Sequence, residues 1–307
     1  MAFLKRARNR WLLAAVLVFV LFYLAWGEAT RTRGAQKVAF DPAEHACASA
    51  GPLRYCVSRA RGGTSEDILY HLPGRNLDER IWNDDTYYTA MLQSEWQRMG
   101  VLPPTVVTVS YGPTWLLAPQ GRKPDSGLLE DFLSRLPEIE AQTGQPRRRM
   151  LLGESMGGLN VLIAGLSAPE RFTKVAALCP GVYAVSPFAS FSSMREGLVR
   201  TGANPKVAFA IWTMARRYFA DDEEWQRASP LALIERVGAN APDLYLSNGL
   251  YDRFGNFEGT LRLAERAAAR GLPVEWYPLY GGHCGIDIVS LARFLTSEPH
   301  QAADPTD

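Results

Sequence analysis

Arg147-Arg148-Arg149-Met150-Leu151-Leu152-Gly153-Glu154-Ser155-Met156-Gly157-Gly158 is the stretch whose reading decides the fold. Met150 to Leu152 form a short apolar run behind three arginines, as a buried strand does. Leu159, Leu162, Ile163 and Leu166 then recur at helical spacing until Pro169. The order is strand, Ser155, helix. Gly153-Glu154-Ser155-Met156-Gly157 fits G-x-S-x-G, the nucleophile elbow, in which small flanking residues let the backbone turn sharply enough to hold the serine exposed. At a helix N-terminus the amide of Met156 would point to where an oxyanion develops, with the helix dipole favouring negative charge there.

A serine hydroxyl is a poor nucleophile at neutral pH unless a base takes its proton and a carboxylate fixes the tautomer of that base. In this kind of fold the chain order is Ser, then Asp or Glu, then His. Only His283 and His300 follow Ser155. His300 lies in a polar tail, whereas His283 sits in Tyr280-Gly281-Gly282-His283-Cys284-Gly285, directly after the last predicted strand, so His283 is the candidate base. The acid belongs at the carboxyl end of the preceding strand, where Asp252 lies. Asp243 is at the wrong end of that strand, Asp221 and Asp222 fall in an insertion, and Asp287 suits the cap of the last helix. Other acidic residues read as solvated faces. A second oxyanion donor is expected from Leu72-Pro73-Gly74-Arg75-Asn76; Pro73 has no amide hydrogen, which leaves Gly74, Arg75 or Asn76, with Arg75 preferred.

Outward from the elbow, strands are predicted at Leu53 to Ser58, Ile68 to Leu72, Val106 to Ser110, Val175 to Leu178, Leu244 to Ser247 and Val274 to Tyr277. Between them lie helices at about 84–99 (N-capped by Asp84 or Asp85, with Gly100 as C′), 127–143 with Pro137 inside, 258–270, and from about Asp287. Strands alternating with helices imply an α/β fold with a mostly parallel sheet covered on both faces. Residues 183–240 interrupt the alternation and read as a helical insertion. Its aromatics, Trp212, Tyr218, Phe219 and Trp225 among them, either pack it onto the body or line a lid over a substrate pocket.

At 307 residues, 47% hydrophobic and 21% charged, the chain suits one large α/β domain or two small ones, and a net charge of +1 gives no reason to expect nucleic-acid binding. Lys5, Arg6, Arg8 and Arg10 precede an uncharged apolar run from Trp11 to Trp26, the layout of an export signal. A cleaved signal core is about 7–15 residues and a spanning helix about 20, so this run of about 16 fits a signal peptide or a short membrane anchor. Trp11, Tyr23 and Trp26 tip the reading towards the anchor. The expected layout is a signal or anchor over residues 1–27, a linker over 28–50, the catalytic domain over 51–298, and a disordered tail over 299–307. Cys47 and Cys56 could close a small loop, while Cys179 and Cys284 could be free or paired across the edge of the site. With no C-x-x-C spacing, and three of the four histidines lacking a ligand partner nearby, neither a metal nor a cofactor is expected.

Gly153-Glu154-Ser155-Met156-Gly157-Gly158, Tyr111-Gly112 after a strand, Asn248-Gly249 ahead of Asp252, and Gly281-Gly282-His283 together resemble the "putative esterase" branch of the α/β-hydrolase superfamily. That branch includes esterase D-like, feruloyl and siderophore esterases and the mycolyltransferases. The resemblance spans about residues 53 to 295. Many relatives carry His-Gly in the oxyanion loop where this chain has Pro73-Gly74. With the export layout of residues 1–27 and the triad of Ser155, His283 and Asp252 read above, the resemblance points to a serine esterase acting on a small-molecule, glycan or lipid ester outside the cytoplasm. The alternatives are an acyltransferase acting on a cell-envelope sugar or lipid, and a non-catalytic membrane-tethered binding protein on a hydrolase scaffold.

Overall fold

The structure, a computed structural model, describes residues 2–29, 37–238 and 240–300. They divide into two units, with the boundary along the chain between Lys37 and Val38. The first contains helix α1, Ala2–Ala29. Trp11, Phe19, Phe22 and Leu24 stand exposed along it. Among the described residues no helix is long and apolar enough to cross a membrane. The anchor expectation is therefore not supported. Its physical shortfall is length, since the uncharged run begins only after Arg10 and a span takes about 20 residues.

The second unit is built on one eight-stranded sheet in the order β1-β2-β4-β3-β5-β6-β7-β8. The strands are β1 Glu44–Ala50, β2 Leu53–Arg59, β3 Ile68–Leu72, β4 Thr105–Ser110, β5 Arg149–Glu154, β6 Lys174–Leu178, β7 Asp243–Gly249 and β8 Val274–Leu279. β1 with β2 and β2 with β4 pair antiparallel, while every pairing from β4 to β8 is parallel. Parallel neighbours need crossovers. These are α2 Tyr88–Met99, α3 Leu128–Thr143, α4 Met156–Ser167 and α9 Phe257–Ala269, and α10 Ile288–Thr296 closes the domain. Helices on both faces account for the near-continuous apolar strands, whose residues alternate between two core layers. Tyr70, Leu151, Val175 and Leu246 face one layer with Phe132 and Leu162. Leu69, Met150, Leu152 and Tyr245 face the other with Trp96 and Leu295.

Four expectations change. The linker expected over 28–50 ends early, because Glu44–Ala50 is a strand whose Cys47 is both the register partner and the disulfide partner of Cys56; residues 30–36 lie outside the described residues. The second helix starts at Tyr88, since the Asp84 carboxylate instead accepts from the Thr86 amide at 2.8 Å and closes a turn ahead of the helix. The tail is tied down as far as His300, whose backbone amide and Nδ1 reach Asp243 Oδ2 at 2.9 and 3.2 Å; residues 301–307 lie outside the described residues. Several carboxylates read as solvated are buried, among them Asp67, Glu140, Glu154 and Glu224, each facing donors that replace water. The insertion is helical, as expected: α5 Phe191–Thr201, α6 Pro205–Tyr218, α7 Asp222–Ala228 and α8 Pro230–Leu233.

Candidate active site

Ser155 joins β5 to α4 at φ 56° and ψ −114°, a conformation that costs a residue with a Cβ and persists only where its surroundings hold it. They do so through the backbone. The Ser155 amide donates to Leu178 O at 2.9 Å at the end of β6, and Ser155 O accepts from the amides of Leu159 and Gly181, both at 3.1 Å. The turn is as tight as the glycine pattern predicts: a Cβ on Gly157 would lie 1.7 Å from Leu72 O.

His283 lies on the loop after β8, and its Nε2 is 2.9 Å from Ser155 Oγ. His283 Nδ1 is 2.8 Å from Asp252 Oδ2, and the other carboxylate oxygen accepts from the Phe254 amide at 2.8 Å. The Asp252 side chain is fully enclosed, while that of His283 is 23% exposed. Three residues separated by 97 and 31 positions thus form one hydrogen-bonded series from hydroxyl to imidazole to carboxylate, with Nε2 aimed at the hydroxyl. A pair of Nδ1 and Nε2 bonds of this kind defines which tautomer presents a lone pair to the serine. The loop is seated by close backbone packing, since a Cβ on Gly249 would lie 2.0 Å from Gly282 O. The Phe254 ring stacks on the imidazole, with centroids 3.8 Å apart and planes at 17°.

Of the three oxyanion-loop candidates, two are already engaged. The Gly74 amide donates to Glu154 Oε1 at 2.6 Å and the Asn76 amide to Pro113 O at 2.7 Å. Among the described residues the Arg75 amide has no such acceptor, and it shares a cavity wall with Ser155 and Met156. The clasp on Gly74 is a buried network without a local sequence signal. Glu154 also accepts from Tyr87 at 2.8 Å and Tyr88 at 2.9 Å and lies 3.1 Å from His71 Nε2. Burial and the adjacent carboxylate hold both tyrosines well above the usual phenol range, so they remain donors.

Ser155, His283 and Met156 open onto a cavity of about 950 Å³. Val207, Ala210, Ile211 and Met214 of α6 line it at the i, i+3, i+4, i+7 spacing of one helix face, so the insertion forms a wall of the site. Its aromatics divide as the sequence allows. Tyr218 and Phe219 are buried against the body, and Trp225 does both jobs, packing edge-on against Phe219 and reaching the cavity wall. Among the described residues two groups have metal-ligand proximity, His45 with Cys47 and Cys56, and Cys179 with His283 and Cys284. In both the sulfurs are bonded to each other, which removes the thiolates a soft metal would need.

Residues 59–284 match the family described as "Putative esterase". This chain belongs to that esterase family. It is a carboxylic ester hydrolase of the serine type on an α/β-hydrolase fold. Among solved structures this esterase is similar to an arylesterase at 18% identity and a TM-score of 0.60, covering 89% of this chain and 95% of that one. It is also similar to an S-formylglutathione hydrolase from Agrobacterium tumefaciens, at 17% identity and a TM-score of 0.56 over 85% and 94% of the two chains. Brefeldin A esterase, described as a bacterial homologue of human hormone-sensitive lipase, has 17% identity and a TM-score of 0.57 over 90% and 83%. These likenesses bear on the fold alone. A comparison with curated protein sequences gives no significant match.

Proposed function

We propose that this esterase is exported and cleaves its substrate through an acyl-enzyme on Ser155. His283 takes the Ser155 proton as Oγ attacks the ester carbonyl and then gives it to the departing alcohol. Asp252 holds the imidazole in the attacking tautomer and balances its positive charge. The amides of Met156 and Arg75 stabilise the oxyanion of each tetrahedral intermediate. Water activated by His283 then releases the acid. The hydrogen-bonded series from Ser155 Oγ through His283 to the enclosed carboxylate of Asp252, opening onto the cavity, carries this reading. The apolar stripe of α6 and the neighbouring Leu116 and Leu159 favour an ester with a sizeable apolar acyl or alcohol part.

Export is supported by the basic residues in the first part of α1, ahead of the apolar run from Trp11 to Trp26, and by two disulfides, which persist in oxidising compartments. The deciding experiment follows the burst and turnover of p-nitrophenyl esters by the full chain and by Ser155→Ala, with fluorophosphonate labelling in parallel. A loss of about 10⁶-fold in kcat with no labelling of the variant is expected. Turnover that survives in Ser155→Ala would sink the assignment, as would folded wild type that neither turns over nor labels.

A further inference from the structure

Cys284 follows the candidate base directly, and it is bonded to Cys179, the first residue after β6. That placement ties the two sides of the site together. On the Cys179 side the backbone is fixed: Leu178 O accepts the Ser155 amide at 2.9 Å, the Cys179 amide donates to Ser247 O at 2.7 Å, and Cys179 O accepts from Asn256 Nδ2 at 2.9 Å. The Cys179 side chain is wholly buried. On the other side the loop from Tyr280 to Asp287 contains Gly281, Gly282 and Gly285, and Tyr280 at its start is 87% exposed. The base loop is held to the nucleophile by the His283 to Ser155 hydrogen bond, to the acid by the His283 to Asp252 bond, and to the end of β6 by the Cys179–Cys284 bridge. Its other backbone anchor runs towards the acid loop, where the Tyr251 amide donates to Gly281 O at 2.9 Å. Cys284 has a positive φ of 58°, which a glycine loop free to relax would leave.

We infer that Cys284 is a positioning residue for His283, and that the Cys179–Cys284 disulfide makes the esterase fully active only in its oxidised form. The inference rests on the serine-hydrolase reading above. Cys284 lines the cavity beside His283 and is partly buried, whereas Cys179 is wholly buried, so a small thiol that enters the site approaches the bridge from the Cys284 side. A dithiol reductant attacks as thiolate, the bond between the two protein sulfurs breaks through a mixed disulfide, and the reductant leaves as a cyclic disulfide. Its two electrons and two protons go to Cys179 and Cys284, which become thiols. The pin between the base loop and β6 is then gone, and His283 Nε2 samples positions away from Ser155 Oγ. Misplacement of a catalytic group by about 1 Å costs on the order of 10²-fold in rate. Turnover, not binding, is the quantity that falls, because the cavity wall on α6 is untouched. A chain made in a reducing compartment would stay quiet until the bridge forms.

The bridge spans 105 residues and so also steadies the fold, and the test must separate the two effects. The full chain is treated with dithiothreitol well below its unfolding midpoint, and thiol alkylation with mass spectrometry reports which bridge has opened. kcat, KM, fluorophosphonate labelling of Ser155 and near-UV circular dichroism are then followed together. Opening Cys179–Cys284 should lower kcat and the labelling rate roughly 10- to 100-fold, with KM within about twofold and the dichroism unchanged, and reoxidation should restore both. Cys47→Ala/Cys56→Ala should respond in the same way, and Cys179→Ala/Cys284→Ala, if it folds, should start low and ignore the dithiol. The inference is overturned if kcat is unchanged with the bridge open, or if activity and dichroism fall together. Oxidised enzyme that neither turns over nor labels would instead bring down the underlying nucleophile assignment.

Discussion

The ring of Phe254 lies parallel to the imidazole of His283, 3.8 Å away between centroids, two residues beyond the carboxylate that holds the same imidazole. The ring face covers one side of the base and leaves its two nitrogens free along the Ser155 to Asp252 line. It also favours the imidazolium that forms as the serine is deprotonated, by about 0.5–1 kcal/mol for an exposed cation on an aromatic face. Phe254→Leu should therefore lower kcat about two- to fivefold, with little change in KM for small esters, and Phe254→Tyr should retain most of it. Steady-state kinetics on an acetate ester checks this, and equal kcat for Leu and Phe would show that the stacking does not matter.

Glu154 reaches the oxyanion loop through the 2.6 Å bond from the Gly74 amide, and the next residue, Arg75, lines the cavity. Glu154→Gln keeps the size and one acceptor but offers its NH2 to a pocket full of donors. It should destabilise the fold by about 1–3 kcal/mol. If Arg75 supplies an oxyanion hydrogen bond, kcat should also fall, by up to roughly 10²-fold. Thermal unfolding and the affinity of a trifluoromethyl ketone, whose adduct carries the oxyanion, separate the two effects. A variant less stable but unchanged towards the ketone would confine Glu154 to a structural role.

The elbow, the strand and helix order and the places of Ser155, Asp252 and His283 at strand ends are legible because each depends on a few adjacent residues or on strand-end position. The Glu154 network was not. Its donors Gly74, Tyr87 and Tyr88 are 80, 67 and 66 positions away, and nothing in a single acidic letter tells a buried carboxylate from a solvated one. β1 was missed for a different reason. Glu44-His45-Ala46-Cys47-Ala48-Ser49 is exposed and contains no β-branched residue, so it is a strand through its pairing with β2 and the Cys47–Cys56 bridge. Phe254 carries no signal of its role in the sequence, because its stacking partner is 29 positions downstream.

Glu224 fastens the insertion to the loop after β4, accepting from the Arg122 amide at 3.0 Å, Arg122 Nε at 2.8 Å and the Ala220 amide at 2.8 Å. The Arg122 guanidinium and these amides hold its carboxyl down to about 2 from an ordinary 4.5. A carboxylate with a depressed folded value stabilises fully above its unfolded value and loses that contribution as pH falls towards the folded one. The stability gap between wild type and Glu224→Gln should therefore be largest above about pH 4.5 and shrink as pH drops towards 2. Urea unfolding at several pH values reads the gap. A gap independent of pH across that range would mean that packing, not charge, makes the contact.

Chain-length preference tests whether α6 lines the acyl site. Val207, Ala210, Ile211 and Met214 present one face to the cavity, and Ala210 is the smallest of the four. Ala210→Trp adds a large ring to that face without removing a polar group or touching Ser155, Asp252 or His283. An acetate ester needs little of the cavity, so its kcat/KM should stay within about threefold. A long acyl chain gains about 0.8 kcal/mol for each methylene it buries, and each one excluded by the new ring should cost about fourfold in kcat/KM. The ratio of octanoate to acetate turnover should thus drop by one to two orders of magnitude while the acetate value holds. A uniform loss at every chain length would instead mean that the ring distorts the lid, and an unchanged ratio would place the acyl chain against another wall.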